Sequence, residues 1–130
     1  MNATACKIID FPASHQNLHH PGKCARVHGH TWTLEIYVTG QVEMDPNRDD
    51  YGMVCDFGRI KTIYAEEIEP FVEHQHLNDT ISVLTEYTSE LIAAWILEKL
   101  HKREPRVTKV RLWEGKSSFV EVTVGDLLKP

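Results

Sequence analysis

His28-Gly29-His30-Thr31-Trp32-Thr33-Leu34-Glu35-Ile36-Tyr37-Val38 is the stretch from which the chain is read. Trp32, Leu34, Ile36 and Val38 alternate with Thr33, Glu35 and Tyr37, the period of a strand with one buried face. Side chains two apart in a strand project to the same side, roughly 7 Å apart along it. His28 and His30 carry the alternation backward, so they project together and can share one metal ion. His15, near the end of an earlier extended segment, supplies a third imidazole. Three neutral ring nitrogens with one open position suit a catalytic zinc rather than a structural one. Cys24 lies just outside the cluster, where a thiolate can act beside a metal.

Outward from this stretch, residues 5–14 read as a first extended segment with Ile8, Ile9 and Phe11. Asn17 to Lys23 reads as a loop around Pro21-Gly22, and His19 and His20 decorate it as a mobile element. The best strand runs over 27–42, followed by a polar turn from Asp45 to Gly52. Asp56 is placed as the cap of a helix carrying Phe57, Ile60, Ile63, Tyr64 and Ile68, which Pro70 closes. A loop through His74-Gln75-His76-Leu77-Asn78-Asp79 follows. Thr88 caps a second helix whose Leu91, Ile92, Trp95, Ile96 and Leu100 form a core stripe. Two strands, Val107–Glu114 and Phe119–Val124, close the chain around the tight turn Gly115-Lys116-Ser117-Ser118. The order ββααββ predicts an α+β fold: a four-stranded antiparallel sheet with two helices on one face, residues 1–130 forming a single domain.

The net charge of −5, with scattered Lys and Arg, offers no basic face for phosphate backbones, so nucleic acid is not an expected partner. No run approaches the ~18 apolar residues of a membrane span, and no leader pattern opens the chain. Cys6, Cys24 and Cys55 are an odd, widely spaced set. That fits reduced thiols in a cytoplasmic protein better than a disulfide scaffold, with Cys6 and Cys55 as small core residues.

His15, the Cys24-x3-His28-Gly29-His30 run, Gly52-Met53-Val54-Cys55-Asp56-Phe57, Glu73-His74-Gln75-His76-Leu77-Asn78, Thr88-Ser89-Glu90 and Glu114 form one collinear set. In order and spacing it resembles the 6-pyruvoyltetrahydropterin synthase and 6-carboxytetrahydropterin synthase family. The resemblance runs from about residue 8 to about residue 123, and the collinear set is far more specific than His-Gly-His alone.

The resemblance implies a tunnelling fold, in which subunits join their sheets into a barrel as trimers or hexamers with shared active sites. It implies zinc as cofactor, held by His15, His28 and His30. Cys24 becomes the base, His74 with Glu73 the proton relay, and Glu114 the acceptor for the amino-pyrimidine edge of a pterin. Thr88 falls in the substrate-binding segment. The activity implied is that of a zinc-dependent lyase on dihydroneopterin triphosphate or a related pterin. Its product would be 6-carboxytetrahydropterin or 6-pyruvoyltetrahydropterin, in pterin or queuosine-type deazapurine biosynthesis. Two positions depart from the family: Glu73 replaces its usual Asp, and Tyr87 a common proline. The alternative is a zinc-containing pterin- or purine-binding homologue with altered chemistry, and Glu73 is the residue that favours it.

Overall fold

Two long strands, β1 (Asn2–His15) and β2 (His28–Gln41), pair antiparallel from Asn2 opposite Gln41 to His15 opposite His28. The structure is a computed structural model and describes residues 1–129. β1 starts three residues earlier than the extended segment at 5–14, because Asn2, Ala3 and Thr4 find partners in Gln41, Gly40 and Thr39. On its other side β2 pairs with β4 (Val107–Glu114), which forms a hairpin with β5 (Phe119–Thr123). Gly115, at φ +74°, provides the left-handed residue that this hairpin turn requires.

A fifth strand, β3 (Gln75–His76), lies parallel to Ala13 and Ser14 of β1, giving the order β3-β1-β2-β4-β5. The four expected strands are therefore extended by one of two residues, too short to leave a periodic signature. Phe119–Val124 likewise ends one residue early. Val124 opens a short helix instead, because Thr123 and Asp126 form a reciprocal capping box.

α1 (Phe57–Glu67) starts at Asp56, whose carboxylate accepts the Gly58 N–H at 2.7 Å. α4 (Ser89–Arg103) starts at Thr88, whose hydroxyl oxygen accepts the Leu91 N–H at 3.3 Å. Between them lie the one-turn helices α2 (Glu69–Val72) and α3 (Leu77–Thr80), and α5 (Val124–Leu127) follows β5. α4 buries Ile92, Ala93, Ile96, Leu97 and Leu100, while Leu91 is exposed rather than part of the stripe.

The helices cover one face of the sheet. Phe11 and Ala13 of β1, Trp32, Leu34, Ile36 and Val38 of β2, and Val110 and Leu112 of β4 pack there against Ile60, Ile63, Ile92 and Ile96. Each large apolar side chain so buried contributes about 1.5–3 kcal/mol before entropic costs. The opposite face carries Thr33, Glu35, Tyr37 and Arg111 (half-buried) and the exposed Glu121.

Glu104, 5% exposed, ties α1 and α4 to the start of β4. Its carboxylate accepts from Arg106 at 2.8 and 2.9 Å and from Arg59 at 3.0 Å. The Arg106 guanidinium holds the Glu104 carboxyl down to about 2, against the burial that would raise it.

Candidate metal centre

At one end of the covered face the apolar alternation turns polar. The β1–β2 register sets His15 directly opposite His28 and His30 opposite Ala13, so the three imidazoles share a face with Trp32. β4 adds Glu114, opposite Trp32, from the next strand over. Their ring centroids stand 4.4 Å (His15–His28), 5.4 Å (His15–His30) and 5.0 Å (His28–His30) apart. One ligand atom from each of His15, His28, His30 and Glu114 lies within 4.8 Å of every other, so this group could hold a metal ion.

The hydrogen bonds behind these rings fix which nitrogen faces the centre. His15 Nδ1 lies 2.7 Å from the Tyr87 carbonyl, and His28 Nδ1 lies 2.7 Å from the Arg26 carbonyl. A carbonyl only accepts, so both Nδ1 atoms carry the proton and both Nε2 atoms present a lone pair. Backbone carbonyls commonly orient metal-bound histidines this way. Burial pushes the His30 imidazole below its ordinary range, toward the neutral form that ligates.

Glu114 Oε1 sits 2.7 Å from His30 Nε2, 3.4 Å from His15 Nε2 and 3.9 Å from His28 Nε2. None of these approaches lies along a hydrogen bond for His15 or His30, whose Nε2 atoms are buried without a partner. The Glu114 carboxyl accepts the Ser89 hydroxyl and, as a carboxylic acid, is charged at neutral pH. A carboxylate and imidazole lone pairs that converge on one point repel each other unless a cation lies between them. The donor set of imidazole and carboxylate suits zinc and its neighbours. The residues therefore fit a metal.

Ser89 is the partner that sequence reasoning missed: its hydroxyl donates to Glu114 Oε2 at 2.6 Å. The two are 25 positions apart, and only the placement of the α4 start beside the β4 end brings them together. Thr88, expected in the substrate-binding segment, spends its hydroxyl oxygen on the α4 cap.

Cys24 lies on a single 3-10 turn, Lys23–Ala25, within the connection that joins His15 to His28. It is half-buried, and its carbonyl accepts the Asn17 N–H at 2.7 Å. The four-membered ligand group does not include it. Glu73 and His74 stand at the junction of α2 and β3, their side chains paired at 3.2 Å and open to solvent. His74 has φ +55°, an uncommon conformation for a residue with a side chain, and its N–H is held by the Pro12 carbonyl at 2.8 Å. Together with His30, Ser14, Thr31 and His76 it borders an open groove of about 680 Å³. The structure thus brings the three metal-type histidines and Glu114 to one centre, and His74 lies outside that group, bordering a groove that His30 also lines.

The molecule is thus an α+β protein whose sheet carries, at one end, three imidazoles and a carboxylate that could hold a metal ion. The 6-pyruvoyl tetrahydropterin synthase family profile matches residues 4–124, and the chain belongs to that family. It is 38% identical over 96 residues to the 6-carboxy-5,6,7,8-tetrahydropterin synthase of Synechocystis, covering 74% of this chain and 73% of that one. It is 31% identical over 99 residues to the dihydroneopterin monophosphate aldolase of Pyrococcus furiosus, covering 74% and 77%. Among solved structures, the 6-pyruvoyl tetrahydropterin synthase of Caenorhabditis elegans superposes with a TM-score of 0.81 at 24% identity, over 95% of this chain and 96% of that one. The fold is the one expected from the resemblance. Among the described residues, no helix is long and apolar enough to cross a membrane.

Proposed function

We propose that this chain is a zinc-dependent lyase acting on dihydroneopterin triphosphate or a closely related pterin, forming 6-carboxytetrahydropterin or 6-pyruvoyltetrahydropterin. The observation that carries this reading is the convergence on one point of three imidazoles, His15 and His28 with Nε2 lone pairs turned inward, and the Glu114 carboxylate. It is supported by family membership and by relatives named as 6-carboxytetrahydropterin synthases.

His15, His28 and His30 would hold the ion. A bound zinc supplies Lewis acidity toward the hydroxyls of the pterin side chain. The Cys24 thiolate takes the proton from the side-chain carbon next to oxygen, and His74, paired with Glu73, carries a proton to or from the same side chain. The groove that His30 and His74 both line supports that role for His74. Three free thiols accord with a reduced, cytoplasmic setting, and the product would feed pterin or queuosine-type deazapurine biosynthesis.

Recognition of the pterin edge falls to Glu114, whose carboxylate can accept two parallel hydrogen bonds from an amino-pyrimidinone edge. The Ser89 hydroxyl, donating to Oε2, steadies that carboxylate and leaves it further lone-pair positions.

Incubation of the zinc-loaded protein with dihydroneopterin triphosphate, followed by mass analysis, tests the reading. It requires a 6-carboxy or 6-pyruvoyl pterin among the products. Recovery of unchanged substrate from fully loaded enzyme would refute it.

A further inference from the structure

The connection from β1 to β2 carries Cys24 and reads from sequence as a mobile loop, yet one carboxylate pins it. Glu86 Oε1 accepts the N–H of Leu18 at 3.0 Å and of Tyr87 at 2.9 Å. Its Oε2 accepts the N–H of His19 at 2.8 Å, and the His19 ring approaches the same oxygen through Nδ1 at 2.7 Å. Four donors engage the lone-pair positions that a carboxylate has. The bonds are charge-assisted, roughly twice as strong as neutral ones.

Two chains of contact lead away from this carboxylate. On one side, the Tyr87 carbonyl accepts His15 Nδ1–H at 2.7 Å, and the Tyr87 hydroxyl anchors itself on the Ile81 carbonyl at 2.6 Å. On the other, Asn17, next to Leu18, donates its N–H to the Cys24 carbonyl at 2.7 Å, and the Gln16 side chain donates to the Ala25 carbonyl at 3.1 Å. Tyr87 stands where the family commonly has proline. Proline has no N–H to give Glu86, so the two residues act as a pair in this chain.

We propose that Glu86 is a positioning residue that locks Leu18, His19 and Tyr87 together, and so holds both the orienting carbonyl of His15 and the Cys24 turn in place. This rests on the reading of His15 as a metal ligand. Glu86 touches neither the ligand atoms nor the groove, and acts only through the Tyr87 carbonyl and the Asn17 amide.

Glu86→Gln keeps the shape but turns one acceptor oxygen into an NH2 that faces N–H donors. Zinc affinity, measured by competition with a chelator, should fall about tenfold, the low end for loss of a group supporting a metal ligand. Amide exchange at Leu18 and His19 should speed up with it. Glu86→Asp keeps the charge with a shorter reach and should recover part of the affinity. If Glu86→Gln does not fold, Glu86→Asp against wild type decides. Glu98→Ala, an exposed carboxylate change elsewhere on α4, should leave affinity unchanged. A lower melting temperature with unchanged zinc affinity in the Glu86 variants would make the role merely structural and overturn the proposal alone. A wild-type chain that takes up no zinc would overturn the metal reading, and this proposal with it.

Discussion

Glu114 stands beside the three imidazoles and accepts the Ser89 hydroxyl, so its role is read from which ligand its loss affects. If it reads the pterin edge, Glu114→Gln should weaken pterin binding by about 1–3 kcal/mol in a calorimetric titration. Unchanged pterin binding with lowered metal affinity would place Glu114 with the metal instead. Cys24→Ala removes the proposed base without touching that carboxylate, so turnover should stop while pterin affinity stays. Equal loss of binding in that variant would show the role to be wrongly assigned. The imidazole triad was legible because His28 and His30 continue a period-2 pattern and His15 ends a strand-like segment. The Ser89–Glu114 contact was not, because it depends on how a helix start meets a strand end, and no local spacing encodes that. Nor does spacing foretell the Glu86 clamp, which joins residues 67 and 68 positions apart.

Among the elements, α1, α4, β2 and β4 could be read closely because each is long enough to show a period and carries a cap or turn at its end. β3, α2, α3 and α5 could not, since two to four residues hold about one repeat of a strand or helix period, too few for a recurrence to show. Asp56→Ala and Thr88→Ala should each lower stability by about 1 kcal/mol through loss of a capping bond, as read by denaturant unfolding. The larger lever is Glu104. Its carboxyl titrates at about 2 in the folded chain against an ordinary value of 4.5, so the folded state binds the proton less readily than the unfolded one. The stabilisation is thus fully present above about pH 4.5 and is lost as pH falls toward 2. It amounts to roughly 3 kcal/mol. Glu104→Gln should flatten that acid limb of the stability curve. A variant that still lost stability as steeply between pH 4.5 and 2 would assign the limb to other carboxylates.

At the scale of the whole molecule, the sheet has two open edges. β1 has β2 on one side along its full length but meets β3 on the other only at Ala13 and Ser14. β5 has β4 on one side, and no further strand follows it in the sheet order. Ile8 and Phe119 are exposed beside these edges, and an apolar hollow bordered by Ala3, Val42, Met53 and Phe57 opens next to β1. Unpaired edges with apolar flanks favour strand pairing between copies. The edges argue for association alone; the family resemblance sets the expected size, a trimer or a hexamer of paired trimers in sedimentation at micromolar concentration. A stable monomer would refute that assembly and the shared active site with it. The metal centre, however, lies at the end of the sheet, where β1 and β2 bring three imidazoles to the Glu114 carboxylate of β4. Elemental analysis of the purified chain beside a His28→Ala, His30→Ala double variant tests it most directly. The account predicts about one zinc per chain in the wild type and none in the variant, with the far-ultraviolet spectrum of an α+β fold kept in both. Full zinc in the double variant would contradict it.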